Sequence, residues 1–206
     1  MNSYDRTLYF GEMFPKTIKA IMMVHGKGSE AADIVNSFEG VLPINDYYIV
    51  APNADRHTWY PQRFLAPQEE NEPMLGNAIS LLNDLVNDLT ATGYERENIF
   101  ILGFSQGACL ALEFAARNAG KFGGIFALSG GLIGDILDST RYKGDFQGSP
   151  IFLGCSDSDS HIPPERVHES AAILKNLGAN VFEKIYPGMG HTVNKNEIDE
   201  ISNILK

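Results

Sequence analysis

Short apolar runs alternate with longer segments of helical periodicity along most of this chain. A run that is apolar at nearly every position is typical of a strand covered on both faces, and such strands are usually joined by crossover helices. The runs are residues 18–24, 47–51, 99–102, 124–128, 151–153 and 181–185. They predict a mostly parallel central sheet.

Four further segments have the spacing of helices. Residues 75–89 place apolar side chains at steps of three and four, which makes one apolar stripe. Residues 106–119 are apolar on nearly all sides, so we expect this helix to lie buried in the centre of the domain. Residues 165–177 and 198–205 show amphipathic helical patterns. The expected fold is therefore α/β, with helices on both faces of the sheet.

Nothing in the sequence marks a domain boundary, since we find no internal repeat, no Gly/Ser-rich linker and no block of charge. A length of 206 residues also suits one α/β domain. We therefore expect residues 1–206 to form a single domain. The predicted strands and helices use most of this length, which leaves no room for a large lid.

Charge and hydropathy exclude several classes of protein. The chain has 16 Lys and Arg residues against 26 Asp and Glu, with no basic cluster. Nucleic acid is therefore not an expected partner, because binding to its backbone needs concentrated positive charge. No apolar run reaches the roughly 18 residues of a membrane span, and the polar residues 1–7 lack the pattern of a signal peptide. We expect a cytoplasmic protein without stable membrane insertion, in which Cys109 and Cys155 are structural thiols. Exposed apolar positions would allow a homodimer.

The segment Gly103-Phe104-Ser105-Gln106-Gly107 lies directly between an apolar run and the central helix. In a nucleophile elbow, this G-x-S-x-G pattern holds the serine on a tight strand-to-helix turn, where larger flanking side chains would collide with backbone. The serine oxygen then lies at a helix N-terminus, which favours developing negative charge. The alternative is a turn that needs glycine for its geometry alone. The context favours Ser105 as a nucleophile.

A serine nucleophile needs a base and an acid, which follow it in the order Ser, acid, His. His191 fits the last position, because it lies in a glycine-rich loop after the last apolar run. Two carboxylates, Asp157 and Asp159, follow the run before it, and the residues alone do not decide between them. A metal site of these two aspartates with His161 is an alternative, but it lacks a complete calcium-loop pattern and a paired-histidine motif. We expect no metal.

An oxyanion hole of this kind takes one N–H from the residue after the serine, here Gln106. The second N–H comes from the loop after the first central strand, which begins His25-Gly26-Lys27. We assign it to Lys27, and we expect His25 to support the loop by hydrogen bonding.

Residues 53–71 are the longest stretch without clear periodicity, and they carry Trp59, Tyr60 and Phe64. Loops of this length are often functional, and ligand sites are mostly apolar and aromatic. We assign the three aromatic residues to substrate binding. The alternative is that they pack the loop against the core.

Several motifs, in this order, carry a family resemblance. They are His25-Gly26-x-Gly28, the elbow Gly103-Phe104-Ser105-Gln106-Gly107, Leu128-Ser129-Gly130, Asp159-x-x-Ile162-Pro163 and Gly190-His191. Over nearly its whole length the chain resembles the phospholipase/carboxylesterase group of α/β-hydrolases, which includes the acyl-protein thioesterases. In that group the acid precedes a hydrophobic-Pro pair by three positions, so the resemblance favours Asp159. The chain departs from it in having Ser160 where Pro commonly follows the acid.

The resemblance implies an α/β-hydrolase fold without a large lid and a serine hydrolase that cleaves carboxylic esters or thioesters through an acyl-enzyme. No cofactor is implied, and the partner is a small-molecule substrate. The aromatic loop is more similar to that of small bacterial carboxylesterases than to that of depalmitoylating enzymes. Two alternatives remain: a catalytically silent binding module, and an acyltransferase that uses the same three residues.

Overall fold

The computed structural model describes residues 6–206, so the expectation drawn from the polar start of the chain falls largely on residues 1–5, outside the described residues. The strands are β1 (Leu8–Phe10), β2 (Ala20–Val24), β3 (Tyr48–Ala51), β4 (Ile99–Phe104), β5 (Gly124–Leu128), β6 (Pro150–Ser156) and β7 (Asn180–Tyr186). The α-helices are α1 (Ala31–Phe38), α2 (Met74–Thr92), α3 (Gln106–Arg117), α4 (Pro164–Asn176) and α5 (Lys195–Leu205).

The strands form one sheet in the order β1-β3-β2-β4-β5-β6-β7. β1 pairs antiparallel with β3, and the other neighbouring pairs are parallel. The mostly parallel sheet predicted from the sequence is thus confirmed. Because parallel strands end at the same edge, the loops after β2, β4, β6 and β7 come together there.

Successive side chains of a strand point to opposite faces of the sheet, and β2 shows what this does to the core. Its residues Ala20, Met22 and Val24 pack in one apolar cluster with α2, α3 and α4. Ile21 and Met23 pack in a second cluster with α1 and α5. The five residues are fully buried. The unbroken apolar run of β2 therefore reflects a strand that is covered by helices on both faces. The helices predicted on both faces of the sheet are thus confirmed.

The sequence patterns do not predict β1 and α1. β1 has three residues that are half-buried or exposed at an edge of the sheet, so it carries no apolar run. α1 is an eight-residue helix with buried side chains at helical spacing, and Glu30 with Asp33 forms a capping box at its start. β4 and β6 also extend beyond the predicted runs, to Phe104 and Ser156, and so reach the functional edge of the sheet.

The two thiols of the chain lie in its interior. Cys109 and Cys155 are both buried and form no disulfide. Burial raises the pKa of each thiol to about 12, which keeps both in the neutral form. Within residues 6–206, none of the helices combines the length and the apolar character needed to cross a bilayer.

Candidate active site

Ser105 lies on the turn between β4 and α3, with φ of 55° and ψ of -120°. Residues other than glycine rarely adopt this positive φ, so the turn must be held by its surroundings. A Cβ atom on Gly103 would lie 2.4 Å from the carbonyl oxygen of Gly107, and one on Gly107 would lie 2.1 Å from that of Val24. Both glycines are therefore needed for the close approach of β4, α3 and β2, as the elbow pattern predicts.

His191 and Asp159 form a continuous hydrogen-bonded chain with Ser105. The distance from His191 Nε2 to Ser105 Oγ is 2.9 Å, and that from His191 Nδ1 to Asp159 Oδ2 is 2.8 Å. An ionised carboxylate only accepts hydrogen bonds, so His191 carries its proton on Nδ1 and offers the lone pair of Nε2 to the serine hydroxyl. The structure thus brings these three predicted residues together in the order that a proton transfer from serine requires.

Asp159 is held by more than the histidine. Its side chain is fully buried, and its Oδ1 accepts the N–H groups of His161 at 2.8 Å and Ile162 at 3.1 Å. Burial works to raise the pKa of Asp159, but the hydrogen bonds from His191 and from these two N–H groups outweigh it, so the pKa lies below its ordinary value. The carboxyl therefore stays ionised beside the imidazole.

The other candidate acid, Asp157, points to a different partner. Its Oδ1 accepts the backbone N–H of Gly188 at 2.8 Å. Gly188 belongs to the loop that carries His191, and Gly190 N–H of the same loop donates to Ser156 Oγ at 2.9 Å. Asp157 thus ties this loop to the end of β6 and makes no hydrogen bond to His191. Among residues 6–206, no group of three or more potential metal ligands converges, and this includes the alternative site with His161.

Two aromatic rings pack against the His191 imidazole, and the sequence did not single them out for this role. The Phe104 ring lies 5.1 Å away in a tilted arrangement, and the His161 ring lies 4.8 Å away, edge-on. Phe104 is the variable residue before the serine in the elbow. No local sequence pattern predicts these ring contacts, because they join segments that are far apart in the chain.

The two predicted oxyanion donors lie beside Ser105. Gln106 is the first residue of α3, and Gly26, which precedes Lys27, packs close to the serine: a Cβ on it would meet Ser105 Cβ at 3.4 Å. Among the hydrogen bonds of residues 6–206, neither the Lys27 nor the Gln106 backbone N–H has a protein acceptor. Both donors are thus available to a bound group. The assignment of these two N–H groups to the oxyanion hole stays a prediction.

A groove of about 1750 Å³ runs over Ser105 and His191. Tyr60 and Phe64 line it on the side of α3. Residues from α1, its following loop and α5 line it on the other side, and the apolar ones are Ile34, Phe38, Val41 and Ile198. Sequence reasoning missed this second wall because it missed α1, although the spacing of buried residues in α1 was a usable signal.

Trp59, one of the three predicted substrate-binding aromatics, lies in the core behind the groove. Trp59 does not line the groove; it is 3% exposed, and its indole N–H donates to the carbonyl oxygen of His25 at 2.8 Å. The assignment of Trp59 to the pocket wall is therefore corrected. Phe64 lines the groove, whereas Tyr60 borders it with a side chain that is fully buried, at 1% exposure.

Comparison with known proteins shows relatives over the whole fold. The family model described as phospholipase/carboxylesterase matches residues 15–206. The crystal structure of a phospholipase/carboxylesterase from Dyadobacter fermentans is 43% identical, with a TM-score of 0.95 over 98% of this chain and 96% of that chain. At 21% identity, the Arabidopsis thaliana SOBER1 structure shares the fold, with a TM-score of 0.74 over 91% of this chain and 97% of that chain.

Curated relatives match over a shorter part. The acyl-protein thioesterase 1 of Gibberella zeae is 32% identical over 126 residues, which is 60% of this chain and 54% of the relative. A probable carboxylesterase of Oryza sativa is 27% identical over 141 residues, 68% of this chain and 52% of that protein. The chain thus spans about half the length of the curated relatives it matches. With the family model matched over residues 15–206 and the near-complete structural match, the chain belongs to the phospholipase/carboxylesterase family of α/β-hydrolases.

Proposed function

We propose that this chain is a serine hydrolase that cleaves carboxylic esters or thioesters of small molecules through an acyl-enzyme. The observation that carries the proposal is the hydrogen-bonded chain from Ser105 through His191 to the buried Asp159. Membership of a family whose relatives are named carboxylesterases and thioesterases supports it. We further propose that residues 1–206 act as a single domain, because one sheet runs through the described residues.

The first half of the reaction forms the acyl-enzyme. Ser105 Oγ attacks the substrate carbonyl carbon while His191 Nε2 takes the serine proton. Asp159 keeps the imidazole in the correct tautomer and stabilises the imidazolium without taking the proton, a role that its lowered pKa supports. His191 then gives the proton to the leaving alcohol or thiol. A water molecule repeats these steps to release the acid.

The negative charge that develops on the carbonyl oxygen needs donors fixed in advance. The backbone N–H groups of Lys27 and Gln106 supply them in this proposal, at the N-terminus of α3. Removing one such donor raises the barrier by about 2.7 to 4 kcal/mol in related sites. These donors therefore carry a large share of the expected catalysis.

The groove suits a substrate with apolar groups on both sides of the scissile carbonyl. Phe64 contributes apolar surface on one side of Ser105, and Phe38 with Ile198 contributes it on the other. Burial of apolar surface against both walls would orient the ester for attack. We propose esters or thioesters of apolar acyl groups as substrates.

The test is hydrolysis of p-nitrophenyl esters of increasing acyl length, with Ser105→Ala and the matched control Ser160→Ala, a second serine that lines the same groove. We expect kcat to fall by a factor on the order of 10⁶ in the first variant and little in the second. A fluorophosphonate should label Ser105 in the wild type. If the pure, folded wild type neither hydrolyses any ester or thioester nor takes the label, the hydrolase proposal is refuted in favour of a silent binding module. Transfer of the acyl group to an added alcohol in preference to water would identify an acyltransferase.

A further inference from the structure

Trp59 is the single tryptophan of the chain, and it lies behind the catalytic residues instead of in the groove. Its indole N–H reaches the carbonyl oxygen of His25 at 2.8 Å, and its ring lies 4.8 Å from the His25 imidazole. A buried indole N–H normally finds a partner, so the hydrogen bond by itself is expected. The indole N–H holds the peptide group between His25 and Gly26, which directly precedes the peptide that bears the Lys27 N–H.

His25 fixes the next peptide group in turn. Its Nε2 accepts the backbone N–H of Ala54 at 3.1 Å, so the proton of the ring is on Nδ1, which donates to the carbonyl oxygen of Gly26 at 2.7 Å. Burial lowers the pKa of His25, which keeps the ring neutral and this pair of hydrogen bonds intact. The Gly26 carbonyl and the Lys27 N–H belong to one planar peptide unit. Holding that carbonyl therefore sets the direction of the Lys27 N–H.

The same aromatic segment is also joined to the second oxyanion donor. The Gln106 side chain accepts the Trp59 backbone N–H at 2.9 Å through Oε1 and donates to the Tyr60 carbonyl at 2.8 Å through Nε2. Gln106 is 8% exposed, so these bonds are shielded from water. A continuous path thus leads from Gln106, through Trp59 and His25, to the peptide that bears the Lys27 N–H.

We propose that Trp59 is a positioning residue for the oxyanion hole. Its indole N–H holds the His25–Gly26 segment in place, and this segment directs the Lys27 N–H toward the same oxygen as the Gln106 N–H. The inference rests on the proposed serine-hydrolase function. It assigns Trp59 to stabilisation of the transition state, where the sequence pattern assigns it to substrate binding. Loss of a positioning residue lowers kcat, whereas loss of a substrate-binding residue changes KM.

The test is Trp59→Phe, which keeps an aromatic ring and removes the N–H. Loss of an oxyanion donor costs about 10²- to 10³-fold in kcat, and a donor that is still present but misdirected should cost less. We expect kcat to fall about tenfold on every ester of an acyl-length series, with KM unchanged within about twofold. Inhibition by an alkyl boronic acid, whose adduct places an oxygen in the oxyanion hole, should weaken by the same factor.

The matched comparison is Phe64→Leu, which alters an aromatic side chain that does line the groove. We expect that variant to change the dependence of KM on acyl length. Two results would overturn the inference while the wild type remains an active esterase: kcat and boronate affinity of Trp59→Phe within twofold of wild type, or a loss confined to KM for long acyl chains. If the wild type shows no activity and no labelling of Ser105, the proposed function fails instead.

A second variant covers the case in which Trp59→Phe does not fold. Because the chain has one tryptophan, replacing all tryptophan by benzothienylalanine changes position 59 alone and exchanges the N–H for a sulfur of similar shape. Urea unfolding would verify that its stability is retained. The tenfold fall in kcat is expected there too, and full activity of this protein would refute the positioning role.

Discussion

Glu197 is a carboxylate in the core, on the helix that follows the loop carrying His191. It lies in α5, is fully buried, and its Oε2 accepts the Asn194 N–H at 2.9 Å in the capping box of the helix. Its Oε1 has no hydrogen-bond partner within residues 6–206 and lies against Gly154 of β6. Burial raises the pKa of Glu197 to about 7 from an ordinary 4.5, although the Asn194 N–H works in the opposite direction.

Because the pKa of Glu197 is raised, ionisation of this side chain destabilises the folded protein. Between pH 4.5 and pH 7, the unfolded chain has lost the proton and the folded protein still holds it. The free energy of unfolding therefore falls as pH rises through this window. At 1.36 kcal/mol per pKa unit, raising the pKa from 4.5 to about 7 corresponds to about 3 kcal/mol. Glu197→Gln removes the titration and keeps an oxygen for the Asn194 N–H.

The assay is urea unfolding of wild type and Glu197→Gln at several pH values from 4.5 to 8. The stability difference should move in favour of the variant by about 3 kcal/mol across this range. Any cost of burying the NH₂ group of the amide is the same at every pH and does not affect the slope. Glu200→Gln is the matched control, since it removes a carboxylate that lies on the same helix and is paired with Lys184. A difference between wild type and Glu197→Gln that stays constant within 1 kcal/mol would refute the reasoning.

Three further predictions follow from the site. Asp159→Asn should lower kcat about 10⁴-fold, because an amide favours the wrong tautomer of the histidine, and steady-state ester hydrolysis checks it; a loss under tenfold would contradict the role. Gly107→Ala should destabilise the fold by at least about 1 to 3 kcal/mol in urea unfolding, since its Cβ would overlap the Val24 carbonyl oxygen; wild-type stability would contradict this close approach. Cys109 and Cys155, buried and with pKa values near 12, should not react with a thiol reagent at pH 8 until the protein is unfolded, and fast reaction of the folded protein would contradict their burial.

The strands with two buried faces were predictable because each of their positions must be apolar, and that requirement is visible in a short run of sequence. β1 was not predictable in this way, because an antiparallel edge strand of three residues covers little of the core. α1 was recoverable: its buried residues follow helical spacing, and Glu30 with Asp33 caps its first turn. Its eight residues simply fall below the length at which such spacing stands out.

The choice between Asp157 and Asp159 shows what the residues alone leave open at the site. The two carboxylates lie two positions apart after the same strand, so composition and order fit both. The turn after β6 separates them: Asp159 uses one oxygen to accept two N–H groups of its own turn, which aims the other oxygen at His191. Asp157 faces the Gly188 N–H of the facing loop. Only the fold of the turn distinguishes these directions, so the family spacing to Ile162-Pro163 was the informative signal.

The sequence also could not predict which side chains of the aromatic loop face the groove, for a related reason. A loop has no periodicity that would say which side chains face a groove and which face the core, so three neighbouring aromatics look equivalent. In the structure, the Gln106 side chain hydrogen-bonds to the backbone of Trp59 and Tyr60, and both of these aromatic side chains are buried. Phe64 lines the groove, and the Trp59 indole meets the peptide groups behind the oxyanion donors. Substrate selection and alignment of those donors can therefore be changed separately by substitutions at Phe64 and at Trp59.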